Sequence, residues 1–347
     1  VAGRSAGAKA LKDIAAAINK AFGKGAAQVL GDDAEVRGEV TDVIPLGIGV
    51  LDNYVIGVGG LPCGRVVEVY SEEGGGKTSL LLAALAGAQR EGGLAALEET
   101  ENALQTDRLV VFGVDKEQLL VAQPDSMEEV LQEMQLILEH APKGGGPILI
   151  GWDSVAATPT AAEVEGGIAP DKGMDVRAKI LSAAFRQLVP LAAEKRACIL
   201  VVNQTREKIG VMFGDKTTTP GGKAIKFAAS VRLQILGGKA VKRGEGHVGK
   251  DVTIIASKNK LAPPWRKARV RLSYDSGWDD EWSTLEFAKD LQIIEQDARG
   301  EQALAEAREK LAACGWSPSR VTQEMLVDPS ASRKKKDDEG KNTGQED

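Results

Sequence analysis

Eight consecutive residues, Ser71–Thr78 (SEEGGGKT), hold three glycines, a lysine and a threonine in the order that cradles phosphate. The general pattern is G-x-x-x-x-G-K-[ST], and Ser71 stands where its first glycine belongs. Gly74, Gly75 and Gly76 let backbone N–H groups converge on phosphate oxygens, and a helix beginning at Lys77 adds its positive end. Lys77 would reach the β- and γ-phosphates of a nucleoside triphosphate and Thr78 would ligate Mg2+, with Glu72, Glu73 and Ser79 completing the loop. Serine lacks the backbone range of glycine, but the glycines downstream offer freedom elsewhere, and a serine can cap a turn. The segment therefore reads as a variant nucleotide site, against the alternative of a degenerate loop that binds weakly or not at all.

Such a site needs a second carboxylate near the metal. The strand ILIGWDS supplies Asp153 at its C-terminal end, so Thr78 and Asp153 form the candidate metal pair. Hydrolysis also needs a group that orients water. Glu98, Glu99 and Glu101 in LEETENAL follow a strand, at the end where open α/β sheets bind ligands, although an acidic turn can equally be a solvated one.

These residues must be positioned by an alternation of strands and helices. Arg65–Tyr70, Leu94–Leu97, Leu119–Ala122, Ile148–Trp152 and Cys198–Val202 are short runs with strong β character, several of them continuously apolar, as strands covered on both faces require. Helical patterns fall between them at 77–91, 126–140 and 175–195. This rhythm predicts an α/β class with a mostly parallel central sheet. After residue 230, SVRLQIL, DVTIIASK and ARVRLSY predict hairpin strands that extend the sheet. Leu11, Ile14, Ala15, Ile18 and Phe22 share one face of a helix over 8–22, ended by Gly23 and Gly25. Its lone stripe must pack on its own core or on another subunit. The expected organisation is an N-terminal helix and linker over 1–40, a core over 41–275, a small C-terminal subdomain over 276–327 and a disordered tail over 328–347. Long loops at 157–174 and 205–222 interrupt the core, and loops of that length inside a compact domain are commonly functional.

Composition sets the limits. The chain has 347 residues with 44 Lys plus Arg against 50 Asp plus Glu, a net charge of -6 that argues against bulk nucleic-acid binding. Binding depends on local charge, however. Residues 203–227 carry Arg206, Lys208, Lys216, Lys223 and Lys226 against Glu207 and Asp215, a net of +3. Residues 237–271 carry ten basic residues against Glu245 and Asp251, a net of +8, readable as a basic face or as solvated strand faces. Cys63, Cys198 and Cys314 are never paired as CxxC, which fits buried, reduced thiols and a cytoplasmic protein. With only His140 and His247, a zinc cluster or a Ser-His-Asp triad has little to build on. No apolar run reaches the ~18 residues of a membrane span, and the charged N-terminus is unlike a signal peptide.

Taken in order, INKAFGKG, GGLPCGRVVEVY, GAQREG, QPDSMEEVL, WDSVAA, NQTREKIGVMFGDKTTTPGGKAIKFAASVRL and SKNKLAPPW resemble the bacterial RecA recombinase family over roughly residues 10–275. The resemblance implies a RecA-like ATPase core using ATP and Mg2+. It implies helical self-association on single-stranded DNA, pairing with double-stranded DNA, and a LexA-type repressor as a further partner. By motif, Glu101 matches the catalytic glutamate, Asp153 the Walker B aspartate, and Gln204 the glutamine that senses the γ-phosphate. Lys258 and Lys260 match the pair that reaches ATP across the subunit interface, and Phe227 and Lys226 fall at that interface. The two long loops match the DNA-binding loops. Arg177, Arg206, Lys208, Ile209, Met212, Phe213, Thr218, Thr219, Gly221 and Gly222 are the candidate DNA contacts, with the apolar members wedging between bases or tucking into a local core.

The chain departs from the family at Ser71, at Arg108 where a tyrosine packs on adenine, in the first DNA loop, and beyond Trp278. A guanidinium can also stack on a base plane. The expected function is ATP-dependent DNA strand exchange. The rivals are a non-catalytic RecA-like mediator or filament protein, and a P-loop ATPase that acts on protein partners.

Overall fold

A computed structural model of the chain describes residues 2–23, 25–30, 39–142, 144–166, 174–207, 217–316, 325 and 327. The chain divides into two compact units, Val1–Glu39 and Val40–Asp347. In the first, α1 (Ala2–Phe22) is followed by a turn that the Asn19 side chain clamps, donating to Ala27 O at 2.7 Å and accepting from Ala27 N at 3.0 Å.

The second unit begins with a small pair, β1 (Val43–Ile44) and β2 (Leu61–Pro62). Then follow β3 (Val66–Ser71), α2 (Lys77–Arg90), β4 (Leu94–Glu99), α3 (Thr106–Val111), β5 (Leu119–Ala122), α4 (Met127–His140) and β6 (Ile148–Asp153). The chain continues through α5 (Ala161–Gly166), α6 (Met174–Lys195), β7 (Ala197–Gln204), the two-residue strands β8 (Arg206–Glu207) and β9 (Thr217–Thr218), and α7 (Lys223–Ala228). Last come β10 (Val231–Arg243), β11 (Gly246–Asn259), β12 (Lys267–Ser273), β13 (Gly277–Asp279), α8 (Asp280–Asp290) and α9 (Gly300–Ala313).

Nine strands form one sheet in the order β13-β12-β11-β10-β3-β7-β6-β4-β5. The six from β10 to β5 run parallel, and β10 to β13 run antiparallel. This is the mostly parallel α/β sheet that the apolar runs predict. Every residue of β3 and β6 is buried, because helices cover both faces of the sheet. On one face Leu80, Leu81 and Leu85 of α2 join Val67, Val69 and Leu200. On the other, Met127 and Met134 of α4 and Leu181 and Phe185 of α6 close over Ile150 and Trp152. The C-terminal helices belong to the first layer, where Phe287, Ile293, Ala307 and Leu311 join the core of α2.

Local signals set the helix starts. Ser126 caps α4 by accepting from Glu129 N at 3.3 Å, while Glu129 reaches back to Asp125 N at 2.8 Å. The same device operates inside the expected 157–174 loop. Thr160 accepts from Glu163 N and Glu163 accepts from Thr160 N, so α5 begins where an unbroken loop is expected. The β10–β11 hairpin also exceeds its expected length. GGKAVKRGEGHVGK is too polar and glycine-rich to read as strand, yet it pairs, with a bulge between Leu236 and Lys239.

Candidate nucleotide site and DNA-facing elements

Ser71 is the last residue of β3 and pairs in register with Gln204 of β7, so its backbone is extended. Position 71 therefore does not need a glycine. The left-handed backbone falls instead at Gly74 (φ 67) and Gly76 (φ 103). The Ser71 hydroxyl turns into the loop and donates to Glu72 O at 2.6 Å. Lys77 Nζ donates to Glu72 O at 2.8 Å and to Ser71 Oγ at 3.3 Å. A Cβ on Gly75 would lie 2.0 Å from Ser71 Oγ and 2.6 Å from Ser71 Cβ. The serine thus occupies the space a side chain at position 75 would need. The indole of Trp278 packs beside Gly76 and donates to Ser79 O at 3.1 Å, anchoring the start of α2. Burial lowers the pKa of Lys77, opposed by the charges of Asp153, Glu101 and Glu73.

Asp153 closes β6 beside this loop. Thr78 Oγ1 donates to Asp153 Oδ2 at 2.7 Å, while buried Oδ1 has no partner. Burial pushes this carboxyl up to about 6, against the pull of the Thr78 hydrogen bond. An orphan carboxylate oxygen next to a threonine hydroxyl fits a hard divalent cation, so Thr78 and Asp153 would hold Mg2+.

The acidic turn divides by environment. Glu99 is buried and structural, accepting from Ala103 N at 3.0 Å and Gln123 Nε2 at 3.3 Å. Glu98 is fully buried, and neither of its oxygens meets an N–H or O–H donor. Glu101 lines one cleft with the glycines of the phosphate loop, and Ser154 Oγ donates to its Oε1 at 2.5 Å.

A cleft of about 320 Å³ brings these groups together: Lys77, Thr78, Glu101 and Gln204 line it with the glycines of the loop. Arg108 reaches the same cleft, donating to Tyr274 O at 3.3 Å and lying 5.4 Å over the Phe112 ring. The opposite wall is Lys250, Leu272 and Tyr274, which sequence reasoning missed. Strand alternation carried a signal for two of them, since Lys250 shares parity with the buried Val252 and Ile254, and Leu272 with the buried Val270.

Behind the cleft lies a buried polar network. Glu68 pairs with Arg232 and accepts from Asn203 Nδ2 at 3.1 Å. Asn203 also donates to Pro220 O at 3.0 Å, tying the end of β7 to the far end of the 205–222 segment. Arg232 lies 4.4 Å over the Tyr70 ring.

The predicted DNA contacts fare unevenly. Lys208, Ile209, Met212 and Phe213 lie outside the described residues, and only the backbone of Arg206 and Thr218 is described, paired with each other across β8 and β9. Thr219 is buried. Gly221 (φ 84) and Gly222 (φ 61) turn the chain into α7. Arg177 on α6 is ion-paired with Glu163 at 2.9 Å. The basic block at 237–271 is partly neutralised: Arg271 pairs with Asp251, and Arg269 with Glu286 and Asp290. Lys258 and Lys260 do not line the cleft of their own subunit. Lys258 donates to the carbonyls of Lys226 at 2.7 Å and Phe227 at 3.4 Å, and the Phe227 side chain is 70% exposed. Cys63, Cys198 and Cys314 are buried, and burial pushes the Cys63 thiol up to about 12.

The phosphate loop, the carboxylate at the end of β6 and the strand order define a P-loop nucleotide-binding α/β protein. Comparison with known proteins carries this further. The family model of the RecA N-terminal domain matches residues 9–279. Protein RecA of Thermus thermophilus is 40% identical over 309 residues, covering 88% of each chain. Protein RecA of Thermus aquaticus is 38% identical over the same length. Protein RecA of Francisella philomiragia is 39% identical over 288 residues, 83% of this chain and 78% of the relative. The chain belongs to the RecA family.

Proposed function

We propose that this chain carries out the DNA recombinase function of its family by coupling ATP hydrolysis to its hold on single-stranded DNA. The observation that carries the reading is the convergence of Lys77, Thr78, Glu101 and Gln204 on one cleft, with Asp153 bonded to Thr78. Lys77 and the N–H groups of the glycine loop bind the phosphates, as their charge and direction dictate. Thr78 and Asp153 would hold a magnesium ion, which would supply charge neutralisation for the departing phosphate. Glu101, steadied by Ser154, orients and deprotonates the attacking water. Gln204 stands at the end of β7 where the 205–222 segment begins, so a contact to the terminal phosphate is felt there directly. Asn203 and its bond to Pro220 O brace the other end of that segment. Lys258 and Lys260 serve the cleft of a neighbouring copy, beside Lys226 and Phe227, and α1 supplies a second docking surface. DNA, single- and double-stranded, and further copies of the chain are the partners, in the cytoplasm.

The test is ATP turnover with and without single-stranded DNA in the parent, Glu101→Gln and Lys77→Ala proteins. DNA should stimulate the parent, and Glu101→Gln should lower the stimulated rate by about 100-fold or more. Flat turnover despite DNA binding would assign a mediator role instead. Strand exchange that persists with ATP in Lys77→Ala would refute the mechanism.

A further inference from the structure

The wall of the cleft that faces the phosphate loop carries a cation with no assigned task. Lys250 lies on β11 with the parity of Val252, Ile254 and Ala256, all buried on the side of α2. It is the point where that inward stripe runs past the core and overhangs the loop. Its Nζ donates to Gly74 O, within the loop itself. The bulge in β10 sets this approach: a Cβ on Gly238 would fall 1.4 Å from Asp251 O, so only a glycine lets β10 lie so close beside residue 251. Asp251, the nearest acid in sequence, is taken by Arg271 at 2.6 Å. Lys250 therefore faces Lys77 across the cleft. Burial lowers the pKa of Lys250, and the charge of Lys77 lowers it further.

Two ammonium groups turned toward one cavity repel each other until an anion enters between them. A backbone carbonyl is a weaker partner for a cation than a phosphate oxygen. We propose that Lys250 is a second phosphate-binding lysine of the same subunit, exchanging the Gly74 carbonyl for the polyphosphate of a bound nucleotide. This rests on the reading of the cleft as a nucleotide site and deepens it. It also makes the β10–β11 hairpin a part of the nucleotide site, since β11 then holds the ligand.

The experiment is equilibrium titration of the full chain with a fluorescent ATP analogue and its ADP counterpart, over a range of salt, for the parent, Lys250→Met, Lys250→Arg and Lys77→Ala. Lys250→Met should bind about tenfold more weakly, the scale of one charge-assisted hydrogen bond. Its affinity should also depend less on salt, while Lys250→Arg stays near the parent. Thermal unfolding without nucleotide should be unchanged in Lys250→Met, which separates a lost contact from a damaged fold. If Lys77→Ala loses binding and Lys250→Met does not, the assignment of Lys250 fails and the nucleotide site stands. Tighter binding by Lys250→Met would make the Gly74 contact a latch of the empty loop and also overturn it. If neither variant changes binding, the nucleotide site itself is refuted.

Discussion

The Ser71 hydroxyl and the absent side chain of Gly75 fill one space. Neighbours that share a space do not contribute additively, and their coupling runs to about 0.5–3 kcal/mol. Gly75→Ala should therefore push Ser71 off Glu72 O and weaken nucleotide binding about tenfold, which lies within that range. Ser71→Gly should be close to neutral, and Ser71→Gly with Gly75→Ala should recover most of the loss. Dissociation constants for the four proteins check this, and purely additive effects would sink it. The motif alone showed that residue 71 was unusual. It could not show the remedy, because two loop positions four apart share no periodicity that predicts contact. Asp153 and Glu101 were legible because each follows an apolar strand. Lys250 and Tyr274 were harder to place, because alternation can turn Lys250 inward but their approach to the loop depends on the β10–β12 hairpins docking beside β3, far away in sequence.

Among elements, the parallel strands and the helices between them announce themselves as apolar runs and capped amphipathic segments. The β10–β11 hairpin does not, since it extends beyond the core and its outer residues have no face to bury. Glu98 is another element-level feature that no run discloses. It lies on β4, and burial, followed by the neighbouring Glu133 of α4, pushes its carboxyl up to about 9. The native state thus keeps a proton that the unfolded chain gives up near the ordinary glutamate value of 4.5. Its contribution to stability is complete below that value and is lost as pH rises toward 9. Glu98→Gln cannot ionise. The variant should match the parent at about pH 5 and exceed it by a few degrees in Tm at about pH 9. Thermal unfolding across that range measures it, and a constant gap between the two proteins would count against a protonated Glu98.

The whole molecule presents groups that its own fold does not use. Leu11, Ile14 and Phe22 of α1 are exposed, as is Phe227. Lys258 sits beside Phe227, away from its own cleft, in keeping with a task in a neighbouring copy. Burial, and then the charge of Lys260, pushes the pKa of Lys258 down to about 8. The charged form that would bind a phosphate is full well below that pH and is lost as pH rises through it. At about pH 9 roughly one copy in ten keeps the cation, so ATP-driven assembly should weaken about tenfold relative to pH 7. Lys258→Arg stays charged and should flatten the profile. Light scattering with a slowly hydrolysed ATP analogue reads both, and identical profiles would remove Lys258 from the interface. Composition shifts divide the sequence into an expected core and a C-terminal segment, but they do not disclose that α8 and α9 pack into the core of α2, because this depends on a few apolar positions, such as Phe287 and Leu311, that a short helix hides.

The shared space at Ser71 and Gly75 also imposes an order on descent. A lineage carrying Ser71 gains a side chain at position 75 only through an intermediate whose loop is distorted. Loss of the serine first avoids that cost. Two phosphate loops that differ at both positions are therefore neighbours in composition but are joined by one easy path and one costly one.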